Sequence, residues 1–257
     1  MKHILAVLAL AVGLCSYAQE EAPTVVFDQI MLTPQPEKVV DFHKAVAEHN
    51  KQFHAEAPMQ VAVYQVMTGP NTGKYIWNLG PCTWEQMDGR PMDAAHDNHW
   101  DNNVTPTITT ESSATYWKYH PEYSSMNSDF SLNMLGITFW DLKRGMGNFE
   151  KVTGIIEKFV KLYRETWPED QFAIYSNLMG STGEGRDMAI VGFLDNYGDL
   201  AIEHPDLPEK YNAMYGEGSF ETDMNLWLEI VQAESNEMWR FMPDLSSRPA
   251  AVEITKN

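Results

Sequence analysis

The chain has 257 residues, with 18 Lys and Arg against 36 Asp and Glu, a formal charge of −18 at neutral pH. So acidic a protein is poorly suited to neutralising phosphates, which argues against nucleic-acid binding and against docking on an anionic membrane surface. Apolar residues make up 44% of it and charged ones 21%, enough for a packed core in one large domain or two modest ones.

Lys2 and His3 precede an apolar run from Ile4 to Leu14, followed by Cys15, Ser16, Tyr17, Ala18 and Gln19. This pattern reads as a secretory signal peptide, residues 1–18, cleaved after Ala18. The run is shorter than the roughly 20 residues a membrane-spanning helix needs. Lipid attachment at Cys15 is the competing reading, but Leu14 and Val12 stand where lipoproteins carry a small residue and usually a leucine. Cleavage leaves 239 residues with a charge of −19 and a single cysteine, Cys82, destined for the periplasm or the exterior with no internal disulfide.

The mature chain opens with an expected strand, Val25 to Leu32. A helix follows from Glu37 to Ala55, where Val39, Phe42, Val46 and Phe53 recur at helical spacing and Pro58 comes after the end. Strands Gln60 to Met67 and Lys74 to Leu79 flank a glycine turn at 69–73, and a less regular helical region leads to a closing strand around Trp117. The order then repeats: strand Leu135 to Leu142, helix Phe149 to Thr166 ended by Pro168, strands Gln171 to Met179 and Met188 to Leu194 around a glycine turn at 180–185, and a closing strand around Trp239.

Residue matches support a duplication. Glu37-Lys38-Val39 returns 113 residues later as Glu150-Lys151-Val152, and Ala62-Val63-Tyr64 returns as Ala173-Ile174-Tyr175. The segment from Trp117 to Ser124 matches that from Trp239 to Ser246 at an offset of 122, so copy two carries about nine extra residues, placed between Glu203 and Ser219. The organisation expected is a first repeat over 24–124, a serine-rich linker over 125–131, a second repeat over 132–247 and a tail over 248–257. Each repeat reads β-α-β-β-α-β, the ferredoxin-like unit. The fold class is α+β, with two tandem units packed as a pseudo-dimeric α/β barrel.

Two such units in this length resemble the dimeric α/β-barrel superfamily, which includes antibiotic-biosynthesis-type monooxygenases, NIPSNAP-like proteins and the haem-binding chlorite dismutase group. The resemblance rests on element order and repetition over nearly the whole mature chain. It implies two ferredoxin-like sheets packed face to face, and it allows cofactor-independent oxygenase or haem chemistry. No catalytic signature of any member is visible, so no functional residue carries over.

The copies differ where chemistry would be sited. At the helix offset, His43 stands opposite Ile156, His49 opposite Leu162 and Asn50 opposite Tyr163; at the closing strand His120 stands opposite Met242. Of seven mature histidines, six (His43, His49, His54, His96, His99 and His120) lie in copy one, which also holds the run from His96 to Asn103. Histidine titrates near neutrality and ligates metals. Copy one is therefore expected to hold a ligand pocket lined by His43, His49, Asn50, Tyr64, Trp77, His96, His99 and Trp117, with copy two mainly as scaffold. His96 and His99, three apart, share a face if helical; with Asp101 and His120 they are the candidate metal ligands, although none of the strong zinc spacings occurs. A haem would need an axial imidazole from His43, His49 or His120.

Other features carry less. Gly69 to Lys74 resembles a phosphate loop, but it is one residue short, has Tyr75 where Ser or Thr belongs, and joins two strands. Cys82 has no CxxC partner and reads as a buried thiol. The function expected is binding of a small apolar or aromatic molecule in the copy-one cleft, with its transformation there left open. The other reading is a non-catalytic protein-interaction module with no enclosed site.

Overall fold

The computed structural model describes residues 23–179 and 186–253. The signal segment, the copy-two glycine turn at 180–185 and the last four residues of the tail lie outside the described residues.

Apolar runs rich in Val, Ile and aromatic residues form β1 (Val25–Leu32), β2 (Val61–Thr68) and β3 (Tyr75–Thr83), with β4 (Ser113–Tyr119) closing the first half. Both faces of these strands are covered, which is why they read as near-continuous apolar segments rather than as alternating ones. Between β1 and β2 lies α1 (Val39–Phe53), entered through a 3-10 turn at Pro36–Lys38 where proline supplies the fixed φ of a helix start. A short helix, α2 (Trp84–Met87), follows β3 behind a Thr83 capping box, and α3 (Ala94–His99) runs on into a π-helical turn at Trp100–Val104.

The second half contributes a two-residue strand β5 (Phe130–Ser131), then β6 (Met134–Leu142), α4 (Asn148–Thr166), β7 (Phe172–Asn177) and β8 (Met188–Leu194). Helices α5 (Leu207–Tyr215) and α6 (Ser219–Ile230) lead to β9 (Val231–Phe241) and a short β10 (Ala251–Val252). Helix α5 occupies the stretch where the sequence places the extra residues of copy two. Residues assigned to the linker and to the tail meet, because β5 pairs with β10.

Eight strands close into one barrel in the order β1-β3-β2-β9-β6-β8-β7-β4. Read from the two seams, the halves run β4-β1-β3-β2 and β9-β6-β8-β7, the same order twice. Three cores result. One lies between α1 and the first-half strands (Phe42, Val46, Val61, Val63), one inside the barrel (Tyr64, Trp117, Phe139, Trp239), and one under α4 (Val152, Ile156, Val160, Ile174).

The seams are built from matching hydrogen bonds. His120 N donates to Ile174 O at 2.9 Å, and Met242 N donates to Val63 O at 2.8 Å. Ser124 Oγ accepts from Ile174 N at 2.9 Å and donates to His120 O at 2.7 Å. Ser246 Oγ does the same with Val63 N at 2.9 Å and Met242 O at 2.8 Å. Each serine satisfies a backbone amide at the end of a strand from the opposite half, where ladder pairing stops.

His120 sits at one seam with both ring nitrogens engaged, Nδ1 to Glu122 Oε1 at 2.9 Å and Nε2 to Ser176 Oγ at 2.8 Å. It is therefore no partner for His96 or His99, and the sequence expectation of a shared metal set or an axial haem ligand there is corrected. Burial holds its pKa below the ordinary 6.5, against the pull of Glu122. Because the folded value lies under the unfolded one, the stability of the neutral ring is complete above about pH 6.5 and is lost as pH falls below it. The urea midpoint should drop between pH 7 and pH 5 in the wild type, and drop less in His120→Met, which installs the copy-two residue. Equal drops in both proteins would refute this.

Candidate functional site

The site lies on the helix-covered side of the first-half sheet. Helix α1 turns His49 inward, fully buried, four positions before it ends. His54 is the residue that leaves the helix: its backbone at φ −127° and ψ 27° breaks the helical path while its N–H still bonds Asn50 O. In a continuing helix, positions 49 and 54 would point about 140° apart. The break folds the second ring back, so their centroids lie 5.3 Å apart. The third imidazole comes from α3, whose start is set by Asp93. That N-cap side chain accepts from Ala95 N and His96 N, both at 2.9 Å, which places His96 over α1. The His96 ring is 4.7 Å from that of His49.

One ring nitrogen from each of His49, His54 and His96 lies within 4.8 Å of one from each of the others. The Nδ1 atoms are held by other partners. His54 Nδ1 bonds Met59 O at 3.1 Å, His96 Nδ1 bonds Asp97 Oδ1 at 3.0 Å, and His49 Nδ1 faces His99 Nδ1 at 3.3 Å. A carbonyl or carboxylate can only accept, so His54 and His96 carry their proton on Nδ1 and present a lone pair at Nε2. The Nε2 atoms of His49 and His54 are buried and have no hydrogen-bond partner. Burial, reinforced by the neighbouring imidazoles, pushes His49 down to about 3 and His54 down to about 4. Both rings are neutral at physiological pH.

These histidines close one end of a cleft of about 470 Å³. Trp77 and Leu79 of β3, Ile30 of β1, and Trp100 of the π-helical turn form its apolar walls, and Met179 reaches in from the second half. At the far wall Arg90 donates to Asp28 Oδ2 at 2.8 Å and to Tyr116 Oη at 3.0 Å. Burial raises the Asp28 carboxyl even with that guanidinium beside it. The arrangement offers an apolar slot with aromatic faces, a cationic group on one wall and a set of imidazole lone pairs at the end.

Of the residues expected from sequence, His49, Trp77 and His96 line this cleft, with Asp101 at its edge. His99 stands behind His49 and orients it, so its expected pairing with His96 as a ligand is replaced by one between His96, His49 and His54. Asn50 is buried behind the wall, bonding Trp77 Nε1 and Leu245 O. His43 is half-buried and spent on Tyr75 Oη at 2.8 Å; it lies on the flank of α1 away from the cleft. Tyr64 and Trp117 lie on the opposite face of the sheet, lining a barrel cavity of about 110 Å³, because residues along a strand alternate faces. The site residues sequence reasoning missed are His54, Asp28, Arg90 and Tyr116. A charged residue inside the apolar run of β1 was the available signal for Asp28, and through it for a half-buried cation paired with it.

A haem does not fit. An axial imidazole needs a flat, ring-sized space over its Nε2, and over His49 that space holds the rings of His54 and His96, with Trp100 at 5.0 Å. His43 and His120 present hydrogen-bonded nitrogens instead. Cys82 is buried against Pro58 O, and burial together with Asp28 pushes its thiol up to about 11, which makes it a poor nucleophile. Gly69 to Lys74 is a hairpin turn between β2 and β3. In the second half, a separate cleft under α4 is lined mostly by apolar side chains, among them Ile156, Phe159, Val160 and Trp227, together with Thr138 and Glu234.

No protein-family model matches the chain, and no curated sequence matches it. Solved structures do share its fold. One is a provisionally assigned monooxygenase from Lactobacillus acidophilus NCFM, 12% identical, covering 90% of this chain and all of that one, with a TM-score of 0.51. An anthrone oxidase-like protein is 12% identical over 86% of this chain and 92% of its own, with a TM-score of 0.51. A second provisionally assigned monooxygenase, from Fusobacterium nucleatum subsp. nucleatum, is 6% identical over 91% of this chain and 99% of its own, with a TM-score of 0.53. At these identities the likeness shows the fold, a ferredoxin-like α/β barrel, and leaves function to the site.

Proposed function

We propose that the protein binds a small aromatic molecule in the first-half cleft, its ring between the apolar walls and its polar group toward the imidazoles, and transforms it there. The observation that carries this is a 470 Å³ cleft ending on buried imidazole nitrogens that have no partner in the protein. Ligand sites are typically apolar concavities with a few convergent polar groups. The monooxygenase and anthrone oxidase-like descriptions attached to the similar folds make hydroxylated aromatics the class to test first. The non-catalytic interaction reading needs a protein without such a cleft.

We further infer that the two halves are copies of one duplicated unit packed as a pseudo-dimer. The repeated strand order and the paired seam bonds of Ser124 and Ser246 support this. The signal-peptide reading makes the mature protein periplasmic or extracellular, and a mature N-terminus other than Gln19 in protein recovered from the cell envelope would count against it.

Ala114 is exposed on β4 at the rim of the cleft. Ala114→Trp should fill the slot without disturbing the core. In the wild type, 2-naphthol and anthrone should quench tryptophan fluorescence saturably, because Trp77 and Trp100 form the walls. The variant should bind at least about 10-fold more weakly, roughly the 1.4 kcal/mol that one blocked contact surface represents. Equal affinity in both proteins would place the site elsewhere, and unchanged aromatic substrate after aerobic incubation would remove the transformation.

A further inference from the structure

We propose that His49, His54 and His96 form a mononuclear site for a divalent late first-row transition metal, zinc foremost, coordinated through Nε2 with an open position facing the cleft. The inference rests on the same cleft as the functional reading, but not on the identity of any organic molecule bound there.

The first support is the donor set. Imidazole nitrogen suits zinc, copper, iron and nickel, whereas calcium and magnesium require oxygen ligands. Three histidines with an open fourth position is a known form of a reactive zinc site, and a closed structural site would use four protein ligands. The second is the outer shell. Metal-bound imidazoles donate their other N–H to a carbonyl or carboxylate, which fixes tautomer and ring orientation. Met59 O and Asp97 Oδ1 do this for His54 and His96, and His99 Nδ1 is placed to accept from His49. With the Nδ1 atoms engaged in this way, Nε2 is the nitrogen each ring has left to offer a cation.

The third support is that the lone pairs have nothing else to do. Nearly every buried polar atom in a folded protein has a partner, yet Nε2 of His49 and of His54 have none. Packing three imidazoles at tilted angles with centroids 4.7–5.5 Å apart costs their solvation, and a cation between them gives the buried lone pairs a partner. Zinc–nitrogen bonds of about 2.0–2.1 Å place tetrahedral ligand atoms about 3.4 Å apart, so the set must close from its present spread of up to 4.8 Å. His96 is the member free to move, since it rides on a six-residue helix and is not fully buried.

Copy two supplies an internal comparison. Leu162 occupies the place of His49, and Trp167, the residue that ends α4, occupies that of His54. The second-half cleft under α4 is walled mostly by apolar side chains such as Ile156, Val160 and Trp227, with Thr138 and Glu234 among its lining. The duplicated scaffold can therefore be packed without these imidazoles, which makes their retention in one half a matter of chemistry.

The test uses untagged, full-length mature protein, dialysed against a chelator and titrated with cobalt(II) and then zinc(II). Cobalt should produce a visible d–d band that saturates at one equivalent and is bleached by zinc, with a Kd in the micromolar range or below. Zinc should raise the melting temperature. His49→Leu and His54→Gln should each weaken cobalt binding at least about 100-fold, beyond what loss of an outer-shell partner alone would do. His96→Ala removes a side chain from outside the core, so its loss of binding with an unchanged circular dichroism spectrum excludes misfolding as the cause. His43→Ile should bind normally. Absence of a cobalt band at millimolar metal, or a band that survives His96→Ala, overturns the proposal. Because no aromatic compound is present, that outcome is separate from failure of 2-naphthol or anthrone to bind.

Discussion

Replacing Glu237 with alanine should destabilise the protein by about 3–5 kcal/mol, the cost of leaving a buried charge without its partner. Glu237 lies on β9, the strand that joins the two halves, and its side chain is fully inaccessible. One carboxylate oxygen accepts from Arg186 at 2.7 Å and from Asn71 at 2.6 Å; the other accepts from Trp239 Nε1 at 2.7 Å. Asn71 belongs to the first half and Arg186 to the second, so one carboxylate ties the β2–β3 turn to the start of β8. The approach is so close that a Cβ at Gly69, which has φ +89°, would stand 2.3 Å from Asn236 O. Removing the carboxylate strands the Arg186 guanidinium, which among the described residues keeps the face of Phe139 at 4.0 Å. The double variant Glu237→Leu with Arg186→Met should recover part of the loss, since it removes the stranded charge but leaves Asn71 Nδ2 and Trp239 Nε1 without their acceptor. Urea unfolding followed by tryptophan fluorescence reads both. A single-variant loss below about 1 kcal/mol would show that the charge is not locked in place.

The main elements were legible from sequence because α1 and α4 keep a helical hydrophobic period and the strands stand out as short apolar runs between turn residues. Strand β8 and strand β1 have the bounds the pattern implies, and α1 and α4 end within two residues of it. The repeated segment ending in Ser124 and Ser246 was visible as a match, but its purpose was not. Each serine bonds a strand of the opposite half, and a contact between residues about fifty or more than a hundred and eighty positions apart leaves no periodic trace.

The site was legible by half. Comparing copies singled out His49, whose counterpart Leu162 is equally buried, so the polar substitution in an apolar place was a sound signal. The same comparison raised His43, which lies on the edge of α1 and finds a tyrosine hydroxyl. His54 escaped because helical projection assigns it to another face, and only the helix end brings it round. Tyr64 and Trp117 were grouped with the cleft because aromatic character says nothing about which side of a sheet a residue faces. In a barrel covered on both sides, the inner and outer faces are equally apolar, so alternation cannot separate them.

Asn50→Leu should cost about 2–6 kcal/mol and also weaken aromatic binding. Asn50 is 1% exposed, donates through Nδ2 to Leu245 O at 2.7 Å and accepts at Oδ1 from Trp77 Nε1 at 2.8 Å. Leucine has the same branched arrangement of heavy atoms, so no cavity forms, and the penalty comes from two buried polar groups left without partners, each worth about 1–3 kcal/mol. The consequences differ at the two ends. Loss of the Leu245 bond loosens the turn that carries Ser246 and Ser247 onto β2, a matter of stability alone. Loss of the Trp77 bond frees the indole that forms a wall of the cleft, so ring orientation there is no longer set. A urea midpoint shifted with unchanged 2-naphthol affinity would mean that Trp77 is held by packing and that Asn50 serves only the fold. A shift in both places Asn50 as a positioning residue.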